Sequence, residues 1–181
     1  WAYRQDQLPS THPVVAEIND LDDVQVNFDG ITYAKGGSVL KQLVAWVGID
    51  AFYAGVAAYF AQHEWGNTEL SDRLAELEIT SGRELGEWSK LWLETAGVNT
   101  LTPVIELDAA GVFTRFAVRQ TAAADYPTIR PHRLGIGLYN VQDGALNRVH
   151  HIEVDVDGEL TEISEPVGSA QPDLVLPTDA D

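Results

Sequence analysis

The hydrophobic period of this chain changes once, at Gly97, from that of helices to that of strands. Between Tyr33 and Gly97 the apolar residues recur three and four apart. Leu40, Leu43, Val44 and Val47 form one stripe, closed by Gly48, and Phe52, Val56, Tyr59 and Phe60 form a second. Leu70, Leu74 and Leu77 mark a third helix with Thr68 as its N-cap, and Leu85, Trp88 and Trp92 mark a fourth that stops at Gly97. Short connections between such helices predict antiparallel neighbours in a small bundle, with the aromatic stripes as core. Beyond Gly97, "TPVIELDAAGVFTRFAVRQTA" reads as a strand, a tight turn and a longer strand. "RLGIGLYNVQDGALNRVHHIEVDVDGELTEI" adds three more, joined at Asp143-Gly144 and Asp157-Gly158, where Asp-Gly suits the positive backbone angles of hairpin turns. Sequential hairpins with one apolar face predict an antiparallel meander folded into a sandwich. The expected fold class is therefore α+β in two segregated parts, an antiparallel α-helical bundle followed by an antiparallel β-sandwich. The boundary is expected near Val98 to Leu101.

The totals allow this and exclude other classes. With 181 residues and 45% hydrophobic content the chain can bury a core, as one large domain or two small ones. Its 28 acids against 11 bases give a net charge of −17, which repels phosphate backbones and anionic lipid; neither nucleic acid nor membrane is an expected partner. The absence of Cys removes disulfide frameworks and thiolate chemistry and fits a cytoplasmic chain. The opening "WAYRQDQLPSTHP" has no initiator Met and no signal-peptide pattern, and "PDLVLPTDAD" places an apolar run just before the end. Both features read as those of a piece excised from a longer protein.

Several groups could do chemistry. In "QHEWGNTEL" His63 and Glu64 stand as in a His-Glu-X-X-His zinc helix, but the second histidine position is Asn67, a poor ligand. Gly66-Asn67 reads better as a helix terminus. His150 and His151 are neighbours in a strand, so their rings point to opposite faces and cannot chelate one metal. Glu153, Asp155, Asp157 and Glu159 alternate along a hairpin without the glycine spacing of an EF-hand, as on a solvated face. Arg130, His132 and Arg133 form a basic cluster that could hold a carboxylate, though an interdomain or surface pairing fits better. No Ser, His and Asp set is identifiable from spacing. In "FDGITYAKGGSVLKQL" Tyr33 lies where a loop after Asp29-Gly30 feeds a helix. The Gly36-Gly37 pair, costing about 1 kcal/mol each inside a helix, implies close packing there.

That stretch, extended to "VQVNFDGITYAKGGSVLKQL" and preceded by "LPSTHPV", resembles the aminopeptidase N family of zinc metallopeptidases, and its bacterial, actinobacterial-type members most of all. "FYAGVAAYFAQHEWGNTELSDRL", "SGRELGEWSKLWLETAGVNTL", "RPHRLGIGLY" and "PDLVLPTDAD" continue the resemblance in family order. It implies that residues 1–97 are the C-terminal helical part of a thermolysin-like catalytic domain, 98–170 the β-sandwich domain, and 171–181 the start of a C-terminal helical domain. The family's Gly-Ala-Met-Glu-Asn motif, zinc helix and downstream Glu ligand are not among these residues. Zinc is therefore expected in the full-length parent and not on this chain.

The one catalytic group that carries over is Tyr33, in "YAKG", matching the family's Tyr-X-Lys-Gly motif. In the family reaction zinc polarises the scissile carbonyl and activates water, Glu takes the proton, and a tetrahedral oxyanion forms. A phenol stays protonated at neutral pH, so Tyr33 is expected to donate a hydrogen bond to that oxyanion, with Lys35 and the glycines positioning the helix. The parent is then an aminopeptidase that removes N-terminal residues from peptides, its partners being the peptide substrate and the remainder of the same chain. The fragment alone is expected to be inactive. The alternative is a non-catalytic helical and β-sandwich module that supports contacts in a larger protein.

Overall fold

The structure, a computed structural model, describes residues 1–179. It divides into two compact units, Trp1–Val98 and Asn99–Asp181.

The first unit is helical: α1 (Ala2–Gln5), α2 (Leu21–Asn27), a π-helical turn (Ile31–Lys35), α3 (Gly36–Val47), α4 (Ile49–Gln62), α5 (Leu70–Ser81) and α6 (Gly86–Leu93). Helix α2 starts because the Asp20 carboxylate accepts from the Asp23 amide at 2.9 Å, with Asp22 and Asp23 favoured by the positive end of the dipole. Helix α3 ends at Gly48, as its sequence predicts. Its buried face is Val39, Leu43 and Val47, and Leu40 from the expected stripe lies outside. That face packs with Leu77 of α5 and with Leu85 and Trp88 at α6, and Trp46, Phe52, Leu74 and Trp92 close around it. The Arg83 guanidinium lies 4.4 Å above the Trp46 ring.

Helix α4 departs from expectation. Phe52, Val56 and Tyr59 are half-buried and Phe60 is 67% exposed, so the second aromatic stripe is not core. The buried residue of this helix is Gly55. A Cβ there would lie 2.8 Å from Leu77 Cδ2, 2.8 Å from Thr80 Oγ1 and 3.2 Å from the Glu76 carbonyl oxygen, so α4 packs closely on α5 at this glycine. Thr80 Oγ1 donates to the Ala51 carbonyl at 2.9 Å across the same contact. The N-cap of α5 is Glu69, not Thr68. Glu69 and Asp72 form a reciprocal capping box, while Thr68 Oγ1 bonds the Tyr59 hydroxyl instead. Among the described residues no single helix is long and apolar enough to cross a membrane.

The second unit holds β1 (Asn99–Leu107), β2 (Phe113–Ala122), β3 (His132–Gln142), β4 (Ala145–Val156), β5 (Leu160–Glu162) and β6 (Leu174–Leu176). Two antiparallel three-stranded sheets result, ordered β1-β2-β5 and β4-β3-β6. The β3–β4 hairpin runs from His132↔Val156 to Gln142↔Ala145 and closes at Asp143 and Gly144 with φ of 53° and 78°, the two positive angles of a type I′ turn. Phe113, Phe116 and Val118 of β2, Leu134, Ile136 and Leu138 of β3, Ile152 and Val156 of β4, and Ile163 share one apolar cluster.

The meander is not sequential. After Asp157-Gly158 the chain leaves β4, and β5 pairs with β2 through Val118↔Thr161. Gln120 draws it there, its amide donating to the Glu159 carbonyl at 2.9 Å and its Nε2 to that of Gly158 at 3.1 Å. Within 171–181, residues Leu174–Leu176 pair with β3, and Ala180 and Asp181 lie outside the described residues.

Replacing Gly55 with Val should lower the melting temperature of the helical unit, because overpacking a tight contact costs about 1–3 kcal/mol. All five tryptophans lie in this unit, so thermal unfolding followed by tryptophan fluorescence checks it.

Candidate functional site

Tyr33 sits on the π-helical turn, 56% exposed, its ring edge-on to Phe28 at 4.8 Å between centroids. No hydrogen bond to its hydroxyl is found among the described residues. The turn closes by a wide i→i+5 bond from the Gly36 amide to the Ile31 carbonyl, an arrangement frequent at functional sites.

Asp29 holds the turn's beginning. Its Oδ1 accepts from the amides of Ile31 at 2.8 Å and Thr32 at 3.1 Å, and its backbone carbonyl accepts from Tyr33 N at 3.1 Å. Its Oδ2 accepts from Gln5 Nε2 at 2.6 Å and faces His12 Nε2 at 3.1 Å. Partial burial pushes this carboxyl up, but the Thr32 amide, His12 and the Ile31 amide outweigh that and hold it below the usual carboxylate value. The glycine that allows this approach is Gly30, where a Cβ would meet Gln5 Oε1 and lie 2.6 Å from Trp1 Cε2. A Cβ at Gly36 would meet only Val14 Cγ1, at 3.7 Å, and one at Gly37 would meet nothing within 4 Å beyond its own helix, so the close packing inferred for that pair belongs to Gly30.

Lys35 holds the other end of the turn. Its ammonium lies 2.9 Å from Asp6 Oδ2 and donates to the Thr95 carbonyl at 3.0 Å. Asp6 Oδ1 accepts from Thr11 Oγ1 at 2.7 Å and from the Gly97 amide at 2.9 Å. Both charges are buried. Neither Asp6 nor Asp29 carries a motif in the sequence, and the Asp29-Gly30 pair reads there only as a turn.

The other candidates have partners of their own. His63 is the C-cap of α4, its ring 5.3 Å from that of Tyr59, at a shallow cavity of about 520 Å³ lined also by Phe60, Glu64, Trp65 and Thr68. The positive φ near this terminus falls on Trp65 rather than on Gly66 or Asn67. His150 pairs with Glu165 at 2.9 Å and His151 with Asp179 at 3.2 Å, on different partners as strand alternation predicts. Glu153 and Asp155 grip Arg133, each at 3.0 Å. Arg130 and His132, expected in a surface or interdomain pairing, are instead buried. Arg130 Nη1 donates to Asn99 Oδ1 at 3.2 Å. Gln120 Oε1 accepts from Arg130 N, so His132 Nε2, 3.1 Å from the same oxygen, carries the hydrogen. Burial, with the Arg130 charge beside it, pushes His132 down to about 4. Among the described residues no group of three or more His, Cys, Asp or Glu could hold a metal ion.

The chain is similar to several known proteins. The family model described as the peptidase family M1 domain matches residues 2–92. The chain is 61% identical to aminopeptidase N of Streptomyces lividans over its whole length, covering 22% of that protein. It is 33% identical to the tricorn protease-interacting factor F2 of Thermoplasma volcanium, over 66% of this chain and 15% of that one. Its fold is similar to the crystal structure of Legionella pneumophila aminopeptidase A in complex with aspartic acid, with a TM-score of 0.61 at 20% identity over 77% of this chain and 16% of that one. The chain thus spans about a fifth or less of the length of these relatives.

Two outcomes follow from the buried charges. Lys35→Met strands the Asp6 carboxylate and should cost about 3–5 kcal/mol in urea denaturation read by tryptophan fluorescence, whereas Lys35→Met with Asp6→Asn should cost less. Because folding lowers the His132 pKa from 6.5 to about 4, the unfolded chain takes up that proton first. This contribution to stability is complete above pH 6.5 and is lost at about 1.4 kcal/mol per pH unit as the pH falls toward 4. His132→Gln should flatten that slope in denaturation followed by circular dichroism.

Proposed function

Since the chain belongs to peptidase family M1, we propose that it is part of a zinc-dependent aminopeptidase and supplies the transition-state hydrogen-bond donor, Tyr33. The supporting observation is the half-exposed phenol of Tyr33 on a turn clamped at both ends, by Asp29 and by Lys35. The described residues do not fit a zinc site: His63 has Asn67 where a second imidazole would stand, and no other ligand cluster forms. The metal belongs to the remainder of the parent.

The role of Tyr33 follows from its chemistry. When a peptide carbonyl is attacked, its oxygen gains negative charge that the ground-state carbonyl lacks. A neutral phenol aimed at that oxygen donates a hydrogen bond that strengthens as the charge grows, and so lowers the barrier more than it tightens substrate binding. In the same proposal, residues 1–97 are the C-terminal helical part of the catalytic domain, packed as a bundle. Residues 98–170 are a β-sandwich whose layers are the two sheets, and 171–181 lead toward a further helical domain. The substrate class is peptides with a free N-terminus.

In the full-length enzyme Tyr33→Phe should lower kcat about 100- to 1000-fold with little change in KM, measured on aminoacyl anilides. Residues 1–181 alone should show no turnover in the same assay. An unchanged kcat in the variant removes the role of Tyr33, and chelator-sensitive activity of the isolated fragment removes the assignment of zinc to the rest of the chain.

A further inference from the structure

The two clamps on the Tyr33 turn differ in kind. The Lys35 clamp is interior, its ion pair only 7% and 5% exposed, so it serves the fold as well as the tyrosine. The Asp29 clamp stands at the rim, with side-chain exposures of 23% for His12 and 24% for Asp29. Asp29 alone engages three successive amides, those of Ile31 and Thr32 through its side chain and that of Tyr33 through its carbonyl. These bonds set the backbone angles of the residues from which the phenol projects. The neighbouring bond from Thr32 Oγ1 to the Asn27 carbonyl closes the loop before the turn and does not reach Tyr33.

The carboxylate is itself oriented. Gln5 Nε2 and His12 Nε2 converge on Oδ2, leaving Oδ1 to the two amides. His12 Nδ1 lies 2.8 Å from the Pro13 carbonyl, which can only accept. Both ring nitrogens thus face acceptors, and the N–H of the ring donates to one of them.

Resting on the reading of Tyr33 given above, we infer that Asp29 is a positioning residue for Tyr33, and that Gln5 and His12 orient Asp29 for that task. A donor useful only in the transition state must be placed to within about 0.5 Å, and a 1 Å misplacement costs on the order of 100-fold in rate. Removing Asp29 therefore affects kcat through Tyr33, and substrate binding stays as it was.

The test is a double-mutant cycle in the full-length enzyme, with kcat and KM measured on an aminoacyl anilide well below each variant's melting temperature. Asp29→Ala should lower kcat about 10- to 100-fold with KM within about twofold. Asp29→Asn, which keeps an oxygen for the two amides but turns a donor toward Gln5 and His12, should recover part of the loss. Asp29→Ala combined with Tyr33→Phe should be no more than about threefold slower than Tyr33→Phe alone, because the first residue acts only through the second. Full kcat in Asp29→Ala, equal losses in the Ala and Asn variants, or losses that multiply in the double variant would each overturn the inference. If Tyr33→Phe is slow while Asp29→Ala is fast, only this inference fails. If Tyr33→Phe is itself fast, the reading it rests on fails with it.

Discussion

The helical unit is organised around the buried pair of Asp6 and Lys35. A single charge left in a protein interior costs several kcal/mol, and a buried pair is tolerated only when the remaining donors and acceptors are also matched. Here they are: Asp6 receives the Lys35 ammonium, the Thr11 hydroxyl and the Gly97 amide, and Lys35 also donates to Thr95. One carboxylate thereby joins the N-terminal segment, the π-helical turn and the chain after α6. An apolar contact could hold the same segments together with similar strength, but it would leave rotation free. Hydrogen-bond direction restricts it.

From this anchor the site is built outward. Lys35 ties the end of the turn to the interior, Asp29 organises its start, and the aromatic ring between them remains half in solvent. The apolar core of the unit, with Val39, Leu43 and Val47 on the following helix, provides the rigid base. The interior clamp at Lys35 and the rim clamp at Asp29 thus hold one turn through different side chains.

Much of the secondary structure is legible in the sequence because it rests on local rules. The stop of α3 at Gly48 and the Asp143-Gly144 turn depend on residues only a few positions apart, and the structure agrees with both; the change of period falls between Leu93, where α6 ends four residues before the expected Gly97, and Asn99, where β1 begins. What could not be read depends on distant partners. The close packing of α4 on α5 rests on the contact of Gly55 with Leu77, and the departure of β5 follows from Gln120, about forty positions earlier in the chain. Burial of Arg130 and His132 follows from matching polar groups on Asn99 and Gln120, which make a basic cluster acceptable inside. At the site, the position of Tyr33 at a helix start was legible. Its supports were not, since Asp6 and Gly97 are 91 residues apart and Asp29 meets Gln5 across 24.

The π-helical turn has a geometric consequence of its own. A turn closed from i to i+5 holds one residue more than an α-turn, and each residue of an α-helix advances the chain by about 100°. The segment before the turn is therefore out of phase with α3 by about that angle. The direction of the phenol and the direction of the helix's apolar ridge are set separately. Restoring ordinary α-helical phase by deleting a single residue there would leave the ridge seated and swing the ring around the axis.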